Sequence, residues 1–323
     1  MKTKNIFRFF LVFLFLVSLS LSTAMAGDYP EKPITLIIPL GAGGSHDLNA
    51  RVFTSVIPTY LNQAIIIKLM PGAGGQTGTA AAVRAKPDGY TLLFTHNFID
   101  QLQPLVEKLP YDTTKELVTV WRLNYGTNIV MTLASKPWKT LDEMLDYGRK
   151  NPGKLTFASS GKWGAGFVPA AVMLSQAGVE ANFIPYKGGG PALQACLAGD
   201  VDFTNGFPAQ SLPHYKTGKL RFLAVASDKR LKECPKVPTF KELGYPTESL
   251  FMSRIIMAPR ETPPERINIL REAFRKIYTD KTFKNLMNKL GENLEHMDGP
   301  DYEKVRATQK KEYQALVKKI LGQ

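Results

Sequence analysis

The sequence predicts an α/β fold with parallel strands. Short, almost wholly apolar runs such as residues 34–40 recur, as expected of strands covered on both faces. Each run is followed by a glycine-rich or polar turn and then by an amphipathic stretch, and this strand–loop–helix order repeats along the chain. In the first block the strand at 34–40 leads into a glycine loop at 41–47 and a helix at 48–61. A second strand at 64–69 leads into a second glycine loop at 71–78 and a small-residue helix at 79–85. A Pro-Asp-Gly turn at 87–89 then opens a third strand at 90–94. The second block alternates strands at 129–133, 155–158, 182–185, 201–204 and 220–226 with helices at 141–150, 168–176, 191–197 and around 211–217. Helices at 265–278, 281–290 and 300–321 complete the chain. No Gly-, Ser- or charge-rich linker divides it, so lobes that share strands are expected rather than beads on a string.

Composition narrows the class. The 323 residues carry a formal charge of +13, with 44% hydrophobic and 21% charged residues, which excludes disorder and repeat architectures and allows two domains with cores of their own. Lys2, Lys4 and Arg8 precede an apolar run at 9–21 that ends in Ala24-Met25-Ala26, the pattern of a secretory signal at 1–26 cleaved near Ala26. That run is short for a bilayer span, and no second one follows, so the mature chain is expected to be exported and soluble. The basic excess lies largely on polar helical segments and shows no aromatic–basic stripe; it reads as solvated faces with a weak attraction for anions, and no nucleic acid is expected. Cys196 and Cys234, the two cysteines, have no His at ligand spacing and read as separate buried thiols rather than a bridge or a metal site.

The chemistry suggested by the residues is anion binding. Gly41, Ala42, Gly43, Gly44, Ser45, His46 and Asp47 form one strand-to-helix turn, and Gly72, Ala73, Gly74 and Gly75 form another, at the place where open α/β sheets bind ligands. Glycine lets the backbone come close to a ligand, and helix-start N–H groups favour an anion. A dinucleotide fingerprint fails because His46 and Thr77 stand where the third glycine belongs, and the NTPase loop fails for want of Gly-Lys-Ser/Thr. A small carboxylate-like anion fits better than a nucleotide. Ser45, His46 and Asp47 are consecutive and so make no triad, Asp47 reads as a first-turn capping carboxylate, and no catalytic residue, cofactor or metal is expected.

The strings Tyr29-Pro-Glu-Lys-Pro-Ile34, Pro39-Leu-Gly-Ala-Gly-Gly-Ser-His-Asp47, Pro71-Gly-Ala-Gly-Gly75, Lys86-Pro-Asp-Gly-Tyr-Thr-Leu-Leu93, Pro185-Tyr-Lys-Gly188, Gly199-Asp-Val-Asp202, Val237-Pro-Thr239 and Thr262-Pro-Pro264 run in order through the chain. In these the sequence resembles the Bug-type receptors of tripartite tricarboxylate transporters. The resemblance implies a type II periplasmic binding protein: two α/β lobes, residues 27–125 plus 223–323 and residues 126–222, joined by two crossings that act as a hinge. It implies a monomeric periplasmic receptor for a small organic carboxylate, whether di- or tricarboxylate, aromatic acid or amino acid, delivered to two membrane permease subunits. An exported enzyme acting on a small organic acid and a receptor for a membrane sensor are the alternatives.

Carried over position by position, the resemblance places ligand contacts at both glycine loops, at the strand end Thr95, His96 and Asn97, at Ser159, Ser160 and Gly161 in the opposite lobe, and at Asn205, Gly206 and Phe207 across the cleft. The chain departs from the family pattern at Leu69-Met70, where Asn-Arg is common, at Gly206, at Lys162 and Trp163, and at Arg254. Trp163 can stack on a planar ligand or pack at a lobe edge, and Lys162 can pair with a second carboxylate or stay solvated. His46 and His96 can donate to a carboxylate. Arg254 lies in an apolar stretch and needs a partner, either the ligand or an acidic side chain.

Overall fold

The computed structural model describes residues 29–247 and 250–321; the signal segment expected at 1–26 lies outside them. The described residues from Lys32 onward form one compact body. The body is built on two sheets, one of six strands in the order β11-β4-β10-β3-β1-β2 and one of five in the order β7-β6-β8-β5-β9. In the first, β1 (Ile34–Ile38), β2 (Ile65–Leu69) and β3 (Thr91–His96) pair in parallel, as their apolar runs and intervening helices predict. The other three strands are β4 (Leu117–Gly126), β10 (Met252–Pro259) and the short β11 (Met297–Asp298). β10 lies antiparallel between β3 and β4, so the sheet is mixed rather than parallel throughout.

The second sheet comprises β5 (Ile129–Leu133), β6 (Leu155–Ser159), β7 (Ala181–Pro185), β8 (Phe203–Gly206) and β9 (Leu220–Val225). β6 runs parallel to β7 and β8, while β5 is antiparallel to β8 and β9. The chain passes from the first sheet to the second between Gly126 and Ile129 and returns between Val225 and Met252.

Local chemistry explains the helices. Leu141–Lys150 buries Leu141, Met144, Leu145 and Gly148, one face at the helical repeat. The Thr140 side chain caps it by accepting from the Glu143 N–H, acids occupy its first turn and bases its last, in keeping with its dipole. Lys281–Lys289 starts at Asp280, whose carboxylate accepts from Phe283 N–H at 2.9 Å. The last helix, Gly299–Leu321, is shared between two cores. Tyr302 near its start packs with Ile37, Leu93 and Met257 of the six-stranded sheet. Tyr313 and Val317 near its end pack in a cluster with Phe157, Val168 and Phe203 of the other layer. Cys196 and Cys234 are both buried and unbridged, and burial pushes their thiols up to about 12 and about 11.

Candidate functional site

Both glycine loops follow parallel strands and face the five-stranded sheet. The first packs backbone against backbone: Gly41 N–H donates to the Lys187 carbonyl at 2.8 Å, and a Cβ on Gly190 would stand 2.2 Å from the Ala42 carbonyl oxygen. Gly43 N–H donates to Asp47 Oδ2 at 2.9 Å, and Asp47 also pairs with Arg51 at 3.0 Å. Asp47 is therefore the capping carboxylate of its own loop. Ser45 N–H donates across to Gln210 Oε1 at 2.8 Å. The N–H groups that the sequence offers to an anion at Gly41, Gly43 and Ser45 are thus held by the protein itself.

The second loop is the one that faces a cavity. Gly72, Ala73, Gly74 and Gly75 all take positive φ, a run that the glycines accept without steric cost and that turns successive N–H groups to one side. The turn closes through Gly75 N–H and Thr77 N–H, both on the Gly72 carbonyl, which leaves the Ala73 and Gly74 N–H groups outside the turn's own bonds. Opposite it stands Gly161 at φ +120°; a Cβ there would come within 2.8 Å of Gly74 Cα. Between these loops lies a cavity of about 200 Å³, walled by Pro39, Leu40 and Gly72–Gly75 on one side and by Ser160, Gly161, Pro185, Tyr186 and Lys187 on the other.

Of the expected contacts, Gly72, Ala73, Gly74, Ser160 and Gly161 line this cavity, whereas Gly41 packs on Lys187 of its wall, and Ala42, Gly43 and Gly44 pack on Gly189 and Gly190 without lining it. Several others are held elsewhere. Asn97 Nδ2 donates to Tyr313 Oη and to the Phe251 carbonyl, and its Oδ1 accepts from Ser253 N–H. Ser159 Oγ donates to the Gly161 carbonyl at 3.2 Å. Asn205 Nδ2 donates to Asn128 Oδ1. Trp163 is buried against Phe167, ring edge to face, while the Lys162 ammonium lies 6.0 Å from the Trp163 ring centre and is exposed. Gly206 adjoins the Gln210 amide, which a Cβ would crowd to 2.9 Å. Tyr186, Lys187 and Gln210 were not singled out from the sequence. The signal for the first two is the end of a parallel strand, the same rule that marks the glycine loops.

Arg254 settles on a structural partner. Its guanidinium grips Glu292 with two hydrogen bonds at 2.8 and 3.0 Å, donates to Asn124 Oδ1 at 2.8 Å and to Ser45 Oγ at 2.6 Å, and lies 5.4 Å over the Phe207 ring. Both members of the pair are buried, at 0% and 1% exposure, so removing either would strand a charge in the interior. Burial pulls the guanidinium below its ordinary value and Glu292 pushes it back; an arginine remains charged under such a contest. The imidazoles of His46 and His96 lie beside it, 5.2 Å apart. Burial lowers both first; His96 and then Arg254 lower His46 further, and Arg254 lowers His96, to about 3. They are neutral: His46 Nε2 contacts the Thr95 carbonyl and His96 Nδ1 accepts from Ile99 N–H.

A larger cavity of about 560 Å³ lies where the two chain passages run, beside Arg122, Tyr125, Lys229, Arg230 and Phe251. Its charges are in part matched internally, Tyr125 with Glu295 and Arg230 with Glu242, and neither glycine loop reaches it. The smaller cavity is the better candidate because backbone donors from one sheet meet strand ends of the other there.

Comparison with known proteins identifies the family. Residues 49–321 match the family model described as tripartite tricarboxylate transporter family receptor. Protein BugT of Bordetella pertussis is 32% identical over 83% of this chain and 83% of its own length. A solved periplasmic transporter superposes with a TM-score of 0.85 at 30% identity, over 90% of this chain and 97% of that one. The MatC protein of Rhodopseudomonas palustris, solved with bound malate, gives 0.80 at 25% identity, over 90% and 98%. The family match spans most of the chain and the solved relatives share its two-sheet plan, so this protein belongs to the tripartite tricarboxylate transporter receptor family, the solute-binding proteins that include the Bug receptors.

Proposed function

We propose that the protein is a periplasmic receptor that holds a small organic carboxylate in the cavity between Gly72–Gly75 and Ser160–Gly161 and passes it to a membrane permease of two subunits. The observation that carries this reading is the run of positive-φ residues at Gly72–Gly75 that lines a cavity of about 200 Å³ opposite Ser160 and Gly161. The malate found in the relative at 25% identity supports the ligand class. One carboxylate group meets the loop N–H groups, and Lys187, Tyr186 and Ser160 offer a cation and two hydroxyls to the rest of the molecule. These groups bind and orient; none forms an acid–base pair with a nucleophile, so the reading is capture without turnover by a monomer with no cofactor. The two sheets with their helices act as the two lobes, and the passages at 126–129 and 225–252 act as the hinge.

A thermal-shift screen of the exported chain tests this, on protein first unfolded and refolded to remove carried ligand. A ligand at a hundredfold its dissociation constant stabilises by about 2.7 kcal/mol. We expect a rise of several degrees with malate or another short carboxylate and none with nucleotides or neutral sugars. A screen silent for every mono-, di- and tricarboxylate, amino acid and aromatic acid would overturn the assignment.

A further inference from the structure

The first glycine loop ends in a helix whose start is capped from the opposite sheet. The helix Ser45–Val56 follows Gly44, which has no side chain to accept from its free N–H groups. Gln210, on the helix Pro208–Lys216 beyond β8, supplies the missing oxygen: its Oε1 accepts from Ser45 N–H at 2.8 Å, and its Nε2 donates back to the Gly189 carbonyl at 3.1 Å. The amide is 6% exposed. Ser45 is held from the other side as well, by Arg254 on its Oγ, and Arg254 lies over Phe207, the residue just before the helix that carries Gln210. A cross-sheet joint therefore sits beside the cavity without lining it.

We propose that Gln210 is the latch of the closed protein, a positioning residue that sets how fast ligand enters and leaves without contacting it. Because its partners lie outside the cavity wall, the latch forms whether or not the cavity is filled. It then favours closure of the empty and the loaded receptor by the same factor. Because the latch keeps the empty receptor mostly closed as well, that factor cancels from the dissociation constant and remains in both rate constants. This differs from a ligand contact, which would act on dissociation alone. The inference rests on the reading that the glycine cavity takes the ligand.

The test is the full exported chain carrying Gln210→Met, which keeps length and removes both hydrogen bonds. With malate as probe and tryptophan fluorescence as signal, association and dissociation rate constants should rise together, each about fivefold, with the dissociation constant unchanged within about twofold. X-ray scattering of the ligand-free variant should give a larger radius of gyration than the wild type. Gln210→Leu removes the same amide with less bulk and leaves Ser45 Oγ on Arg254, and it should repeat the parallel rise if Gln210→Met folds poorly. A rise in dissociation alone would make Gln210 a ligand contact and overturn the proposal, as would unchanged rates with unchanged scattering. If malate does not bind the wild type, the ligand reading has failed, and the scattering comparison still decides the latch.

Discussion

His46 and His96 are buried, lie 5.2 Å apart and share their surroundings with the Arg254 guanidinium, the Phe94 and Phe98 rings and the Thr95 carbonyl. Glu292, the carboxylate in contact with that guanidinium, is already held by it through both oxygens. In the folded chain both imidazoles therefore resist protonation, whereas in the unfolded chain they take it up near pH 6.5. The unfolded state binds more protons below that value, so stability is full above about pH 6.5 and falls as the pH drops toward 3, where His96 titrates in the fold. At pH 5 the loss from His96 is about 2 kcal/mol, from 1.5 units at 1.36 kcal/mol per unit, and His46, lowered in the same sense, adds to it. Urea melts at pH 7 and pH 5 check this, and His96→Gln should shrink the difference between them. A midpoint that does not move between the two would show that the pair is not held neutral. Arg254 illustrates the same scale from the side of sequence: its need for a partner is legible from an apolar neighbourhood, but the identity of Glu292, 38 residues away, is not.

Glycine matters at two elements for different reasons, and a matched pair of substitutions separates them. Gly43 has φ +73° but an open surrounding, the nearest atom to an added Cβ being 4.0 Å away. Gly43→Ala should cost about 1 kcal/mol of left-handed strain and leave ligand affinity within about threefold. Gly161 has φ +120° and would drive its Cβ against Gly74 across the interface. Gly161→Ala should weaken ligand binding by tenfold or more by holding the loops apart, as calorimetric titration with malate would show; equal affinities for the two variants would remove the cavity from its role. The second glycine loop was legible because a strand, a glycine run and a helix fix its place within one stretch of sequence. Strands β4 and β10 were not. All eight residues of β10 are buried, yet Ser253 and Arg254 interrupt its apolar run, and its pairing is with segments more than 120 residues earlier. His96, Asn97, Trp163 and Phe207 end strands or turns as expected of ligand residues. The side chain of His96 meets His46 and Phe98, and those of Asn97, Trp163 and Phe207 meet Tyr313, Phe167 and Arg254 in turn, contacts that depend on how the two layers and the last helix meet.

The whole molecule is held together by more than its two chain passages, because the helix Gly299–Leu321 packs with both layers. Tyr302 belongs to the core beside β1, β3 and β10, whereas Tyr313, fully buried, packs against Phe98 and holds Asn97 through its hydroxyl in the cluster that includes Phe157 and Phe203. A helix with one end in each core couples their unfolding, since neither layer can melt without exposing part of it. The intact chain is therefore expected to melt in one transition, with a ratio of calorimetric to van't Hoff enthalpy of about one. Tyr313→Ala removes the aromatic anchor at one end and leaves the Asn97 amide without its phenol. It should cost about 3–5 kcal/mol at the junction where the last helix meets Asn97 and Phe98 after β3 and the cluster around Phe157 and Phe203, away from Tyr302. With that junction weakened the two layers are less tightly coupled, and scanning calorimetry should show the enthalpy ratio rising above one as the melt broadens or splits. A variant that melts at lower temperature but still in one sharp step would mean that the coupling runs through the chain passages and the Ser45–Gln210–Arg254 joint, and that the last helix adds stability without carrying cooperativity.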